Sequence, residues 1–187
     1  MDNIPGTPFS LQPTLQNGLI IARPLLAEDF DRLYAAASDP LIWEQHPNQN
    51  RWQLSEFTNY FKGAMQSGGA LMVTDAQTGE VVGSSRYYDW IADTKTLSIG
   101  YTFIVRKYWG GGYNYSLKGL MLDYIFQYVD NILFFIGANN LRSQVSIERF
   151  GAKKIGEEDT AYFGEPPKPN FVYRITKQEW LQKTGAG

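Results

Sequence analysis

Apolar positions recur in two rhythms along this chain, every second residue in some stretches and every third or fourth in others, and the rhythms assign the elements. Residues 1–17 are rich in Pro, Gln and Asn and are expected to form an irregular arm. Gly18 to Leu25 (GLIIARPL) reads as a short strand ending at Pro24. Leu26 to Ser38 reads as a helix, with Glu28 and Asp29 in an acidic first turn and Phe30, Leu33 and Tyr34 as its buried stripe. Asp39 to Trp52 carries Pro40 and Pro47 and reads as loop or broken helix, after which Ser55 to Met65 sets Phe57, Tyr60, Phe61 and Met65 at helical spacing. Ala70 to Asp75 and Val81 to Tyr88 read as a hairpin turned at Gln77-Thr78-Gly79-Glu80. In Thr96 to Val105, Leu97, Ile99, Tyr101, Phe103 and Val105 alternate with Ser98, Gly100 and Thr102, as in a strand buried on one face.

Tyr113 to Tyr128 returns to helical spacing, with Leu117, Leu120, Met121, Tyr124, Ile125 and Tyr128 on one side. Ile132 to Ile136 (ILFFI) is short and uniformly apolar, the mark of a central strand. Asn140 suits the N-cap of a helix that stops at Gly151. Lys154 to Gly156 and Phe171 to Ile175 read as the last strands, joined by a loop with Pro166, Pro167 and Pro169. No repeat or linker interrupts the pattern, so one α+β domain over residues 1–187 is expected.

Composition narrows the classes. With 43% hydrophobic and 19% charged residues, the 187-residue chain has a globular balance. A net charge of −2 gives no basic footprint for nucleic acid. No segment reaches the roughly 20 apolar residues of a membrane span. Met1-Asp2-Asn3-Ile4-Pro5-Gly6 lacks the parts of a signal peptide, and a cytoplasmic location is the expectation. There is no Cys and a single His, which removes thiol chemistry and leaves no ordinary zinc ligand set, so no metal is expected. Aromatics reach 15%, more than a core needs; some can line a cleft or a homodimer contact.

The chemistry concentrates at Arg106-Lys107-Tyr108-Trp109-Gly110-Gly111-Gly112-Tyr113-Asn114, between a strand and a helix. Successive glycines let backbone N–H groups converge on an anion, and the helix adds the free N–H groups of its first turn. The turn therefore reads as a pyrophosphate site. No Lys-Ser or Lys-Thr pair follows at P-loop spacing. A dinucleotide fingerprint fails in both registers, because Tyr115 stands at the sixth position counted from Gly110 and Tyr113 at the third from Gly111. Gly110-x-Gly112 remains.

That turn, with Ile99-Gly100-Tyr101 before it and Asn140-x-x-Ser143 and Gly151 after it, resembles the GNAT family of acetyltransferases, in its branch of ribosomal-protein N-terminal acetyltransferase-like members. Arg23-Pro24-Leu25 with Asp29-Phe30, and Tyr173-Arg174-Ile175-Thr176 with Glu179-Trp180, extend the resemblance over nearly the whole chain. It implies a mixed, mainly antiparallel sheet flanked by helices. In such a sheet the fourth and fifth strands, here Thr96–Val105 and Ile132–Ile136, splay into a V that takes acetyl-CoA. Backbone groups of Phe103, Ile104 and Val105 would then pair with pantetheine. Residues Lys107 to Gly112, with Trp109, Gly110 and Gly111 among them and Asn114 beyond, would hold the pyrophosphate, and Asn140 would reach the pantetheine arm. The implied reaction is direct transfer of acetyl to a primary amine, on a small molecule or a protein N-terminus; a non-catalytic acyl-CoA-binding or sensory module of the same fold is the alternative.

Two departures from the family pattern matter. Lys107 stands where Arg or Gln is common, giving charge without a bidentate fork. Ile147 stands where many members carry a Tyr that protonates the leaving thiolate; in the resembled branch a Ser on this helix takes that role, and Ser143 matches it. Trp43, His46 and Tyr88 fall where the resemblance puts the acceptor wall, with His46 a candidate proton acceptor. Each has a plainer reading: the glycines a tight connection, Asn140 a helix cap, Ser143 a small helix residue, His46 a structural side chain. Trp43, Tyr87, Tyr88 and Trp90 read equally as core or cleft floor, and the acidic pI with an aromatic wall leans toward a cationic or amphipathic amine.

Overall fold

A computed structural model describes residues 8–185. Eight strands, β1 (Leu15–Gln16), β2 (Ile20–Pro24), β3 (Ala70–Asp75), β4 (Val81–Ile91), β5 (Thr96–Ile104), β6 (Asn131–Gly137), β7 (Lys153–Thr160) and β8 (Lys168–Thr176), form one sheet in the order β1-β2-β3-β4-β5-β6-β8-β7. Five helices flank it: α1 (Phe30–Ala37), α2 (Leu54–Gln66), α3 (Tyr113–Ile125), α4 (Leu141–Arg149) and α5 (Lys177–Thr184). All pairings are antiparallel except β5 with β6, which run parallel across the α3 crossover. That one parallel pair is held only at Thr96–Asn131, Leu97–Ile132 and Ser98–Leu133. Beyond Ser98 the two strands diverge, and the V opens toward the turn at Gly110.

Several boundaries differ from the expected ones. Within the arm, of which residues 1–7 lie outside the described part, Leu15–Gln16 pairs with β2, while Phe9 and Leu11 are buried in the core. This added strand makes the expected fourth and fifth strands β5 and β6. The first expected helix breaks into a 3-10 turn, Ala27–Asp29, and α1, because Asp29 turns its carboxylate back on the Leu26 N–H and Arg23. Strand β7 runs to Thr160, well past Gly156, since pairing with β8 continues as far as Thr160–Lys168. Helix α5 was not foreseen, although Thr176 and Glu179 form a capping box legible in the sequence.

The largest departure is a β-bulge. Phe103 pairs with Ser84 and Gly100 with Arg86, so Tyr101 and Thr102 stand opposite Ser85 alone. Tyr101 takes φ 52°, a left-handed conformation rare for a side chain of this size, and its carbonyl accepts from Tyr60 Oη at 2.8 Å. One extra residue turns the following side chains over. Leu97 and Ile99 enter the core under α3, whereas Phe103, with Tyr101 and Val105 beside it, packs in a second cluster around Trp43, Phe57 and Tyr60 on α2 and its preceding loop. The strict alternation in the sequence had put all five on one face. No helix among the described residues is long and apolar enough to cross a membrane.

Candidate active site

A cleft of about 790 Å³ follows the V. One end is the glycine turn, where Gly110 (φ 76°) and Gly112 (φ 80°) adopt conformations that L side chains avoid, and a Cβ on either would meet nothing within 4 Å. The N–H groups of Gly110, Gly112, Tyr113, Asn114 and Tyr115 find no acceptor among the described residues. Their residues line the cleft at the positive end of α3, where unpaired N–H groups can take phosphate oxygens. The residues present therefore fit the CoA diphosphate.

The charges expected to help are engaged elsewhere. Lys107 pairs with Glu80, and Arg106 with Asp39, both outside the cleft. In their place α4 brings Arg149 and Arg142 to the cleft wall, Arg142 stacked on the Trp109 indole at 4.1 Å and paired with Glu44. Trp109 in turn donates Nε1–H to the Ile104 carbonyl at 2.8 Å. Gly111 supports the turn from outside the cleft.

Along the V, strand geometry sorts the backbone groups. The Val105 N–H is given to Val82 O at 2.8 Å, and Phe103 pairs with Ser84, so both face β4. By the alternation of an extended strand, Thr102 and Ile104 turn their N–H groups to the gap. Of the three residues expected to pair with pantetheine, Ile104 alone has that orientation; Phe103 lines the cleft with its ring. Asn140 caps α4, its Oδ1 accepting the Ser143 N–H at 3.2 Å. Asn114 bonds Ser146 Oγ at 2.8 Å and so ties α3 to α4. Ser143 is half-buried on the cleft wall, while Ile147 is buried, 3% exposed, beneath it.

The acceptor end differs from expectation in its electrostatics. Trp43 and His46 do border the cleft; Tyr88 does not, its ring packing edge-on to Tyr101 at 5.2 Å and over Gly100. Trp43 is 2% exposed and donates Nε1–H to Ala37 O at 2.8 Å, so it is core with one edge on the cleft. The aromatic faces are already occupied. Arg51, 1% exposed, lies 5.2 to 5.8 Å from the ring centres of Trp43, Tyr60, Tyr101 and Tyr162, and its guanidinium pairs with Glu165 at 2.8 Å. Arg86, also buried, stacks on Tyr101 at 3.9 Å with no carboxylate partner. His46 Nε2 lies 3.1 Å from Arg51 Nη1, and Nδ1 lies 2.9 Å from the Asn48 N–H and 3.1 Å from the Asn48 carbonyl, so whichever nitrogen is unprotonated already faces a donor. Burial, and then the charge of Arg51, hold this imidazole well below its ordinary pKa. His46 therefore cannot serve as the proton acceptor: its free lone pair is taken.

Sequence reasoning missed Arg51, Arg86, Glu165, Tyr101, Tyr162 and Lys118. Lys118 alone carried a signal, a charged residue inside the apolar stripe of α3. Among the described residues no Asp or Glu lines the cleft, and no group of three or more acidic or His side chains could hold a metal ion.

Comparison with known proteins agrees with this geometry. Residues 20–153 match the family model described as an acetyltransferase (GNAT) domain. No protein of curated function matches in sequence. Among solved structures, a GCN5-related N-acetyltransferase from Brucella melitensis superposes with TM-score 0.80 at 17% identity, covering 94% of this chain and 83% of that one. A Vibrio cholerae protein assigned as a ribosomal-protein-serine acetyltransferase gives 0.71 at 15%, with 90% and 99% covered. The spermidine N-acetyltransferase of Vibrio cholerae, solved with CoA and spermine, gives 0.67 at 15%, with 88% and 99% covered. At these identities the likeness is one of fold. The family match spans well over half of the sequence, and the chain belongs to the GNAT family of acetyltransferases.

Proposed function

We propose that this protein moves the acetyl group of acetyl-CoA directly onto a primary amine, as an N-acetyltransferase whose acceptor is a monoamine: a small molecule or a protein N-terminus. The observation that carries this reading is a single cleft with a phosphate cradle at one end, outward N–H groups of Thr102 and Ile104 along the V, and an enclosed aromatic wall at the other. Acetyl-CoA would lay its diphosphate against Gly110–Tyr115 and its pantetheine along Ile104. A thioester carbonyl beside β5 would have an N–H donor in place for the oxyanion that forms on attack. Holding the amine against that carbon supplies much of the remaining acceleration.

Acceptor charge is set by the wall. Of Arg51 and Arg86 only Arg51 has a paired carboxylate, Glu165; Asp89 acts on Tyr101 from outside the lining, and the cleft lining holds no acid among the described residues. Such a wall repels a polycation and has no spare aromatic face for an ammonium, so the cationic preference suggested by composition is replaced by one for an amine that enters uncharged. The test is release of CoA thiol with a panel of amines. Monoamines or peptide N-termini are expected to support turnover at least about tenfold better than spermidine, a difference of about 1.4 kcal/mol. Spermidine as the best acceptor would overturn the charge reading, and CoA binding without thiol release from any amine would favour a non-catalytic acyl-CoA-binding module.

Ser143 is the proposed proton donor to the departing thiolate. Its hydroxyl borders the cleft one turn from Ile147, which cannot donate. Ser143→Ala is expected to lower kcat by about a hundredfold with little change in the KM for acetyl-CoA. A variant that alters only KM would make Ser143 a binding residue. The Ser143 position, with the fold likeness to the ribosomal-protein-serine enzyme, also supports the ribosomal-protein N-terminal acetyltransferase-like branch.

A further inference from the structure

Lys118 is the cleft group that acetyl transfer, as read above, leaves without a task. It projects from α3 into the core beside Met121 and Leu122 and is 3% exposed. Its Nζ donates to two hydroxyls, Ser85 Oγ on β4 at 2.9 Å and Thr102 Oγ1 on β5 at 2.5 Å, which lie 2.8 Å from each other, and Thr102 Oγ1 also donates to the Gly100 carbonyl at 3.3 Å. The elements packed around it bring no counter-charge. From β4, Tyr87 gives its hydroxyl to the Met121 carbonyl, and Arg86 points to the opposite layer, onto Tyr60 O. α4 brings Arg142 and Arg149 to the cleft, while its Glu148 lies outside the lining and accepts from the Tyr173 hydroxyl; β6 faces the cleft with apolar side chains. Asp123, on α3 itself, accepts from Trp180 Nε1, and Asp75 on β3 accepts from the Tyr113 hydroxyl. Burial without a partner pulls the ammonium down to about 7, so much of it is free amine at neutral pH.

An attacking nitrogen must lose a proton once its bond to the acyl carbon forms. Among the described residues no carboxylate lines the cleft to take it, and both ring nitrogens of His46 are engaged by Arg51 and Asn48. Thr102 is half-buried and follows Tyr101, at the bulge where the acceptor wall on one face of the sheet meets α3 on the other.

Resting on the acetyl-transfer reading, we propose that Lys118 accepts the proton shed by the acceptor nitrogen, through the hydroxyl of Thr102. The nitrogen lone pair forms the C–N bond while the carbonyl π pair moves to oxygen. With Lys118 as the free amine, the Thr102 hydroxyl turns from the Gly100 carbonyl to the Nζ lone pair, and Oγ1 takes the N–H proton as it passes its own to Nζ. The oxyanion then re-forms the carbonyl, the C–S bond breaks, and the thiolate takes the Ser143 proton. The proton on Lys118 returns to Ser143 by way of solvent, so no net proton is consumed and both residues are reset.

The experiment compares the parent with Lys118→Met and Thr102→Val across pH 5.5–9, using an amine acceptor accepted by the parent. Met replaces the lysine stem with an apolar chain of similar length in an apolar setting, and a thermal melt checks folding. The expected result is a loss of about a hundredfold or more in kcat for both variants, with CoA affinity by calorimetry within about twofold. The parent rate should fall as pH drops through about 7, and this limb should vanish in Lys118→Met. Unchanged kcat and pH profile in a folded Lys118→Met would overturn the proposal while leaving acetyl transfer intact. So would mass-spectrometric detection of stoichiometric acetyl on Lys118 itself, since an amide cannot accept the proton. A parent that binds CoA but acetylates no amine would sink acetyl transfer and this role together.

Discussion

Gly112→Val is expected to weaken CoA binding at least about tenfold, about 1.4 kcal/mol, in a protein that still folds. At φ 80° this glycine is the hinge that starts α3, and a β-branched residue is strongly disfavoured there. No neighbour blocks the new side chain, because a Cβ meets nothing within 4 Å. The damage is conformational. To escape the left-handed region the backbone must rotate, which swings the N–H groups of Gly112 and Tyr113 away from the phosphate, and the γ-methyls occupy the space the phosphate needs. Strain of about 1–3 kcal/mol should also lower the melting temperature by several degrees. Calorimetric titration with CoA on the folded variant decides it, and unaltered affinity would remove the turn from the site.

Arg51→Met should cost more in stability than any single change at the cleft mouth, about 3–5 kcal/mol. The guanidinium is enclosed by four aromatic rings and pairs with Glu165, whose second oxygen, Oε2, is buried without a partner. Without Arg51 the carboxylate stays in an apolar wall with no counter-charge. A chain of this size typically has only about 5–15 kcal/mol of stability in total, so the melt should shift by roughly 10 °C or more. Adding Glu165→Leu should recover much of the loss, because the stranded charge goes with it. Emptying the aromatic box should also raise turnover of spermidine relative to a monoamine. An unshifted melt for Arg51→Met would mean that the ion pair does not hold the loop carrying Glu165 to the acceptor wall.

Local chemistry made much of the protein legible from its sequence. A run such as ILFFI can be satisfied only as a central strand, three glycines between strand and helix can hardly be packing residues, and Asn140 followed by a helical stripe is a cap whether or not it touches a ligand. These features depend on neighbours within a few residues, and so the sheet, the order of elements and the glycine turn could be read. Partners distant in sequence could not. Nothing near Arg51 announces Glu165, 114 residues away, and so the aromatic wall that seemed open to a cation proves already filled by one. His46 lost its expected role for the same reason, since its ring nitrogens are engaged by neighbours fixed by the fold. The bulge at Tyr101 is the sharpest case. Alternation in the sequence assigns five side chains to one face, but pairing against β4 inserts one residue, turns Phe103 to the second core and brings Thr102 over Lys118. Sequence by itself determined most of the strands and helices and the place of the glycine turn, because those follow from local sterics and periodicity. Tertiary structure alone decided which charges are paired, which lone pairs are free and which backbone groups face the V, because these depend on contacts between segments far apart in the chain.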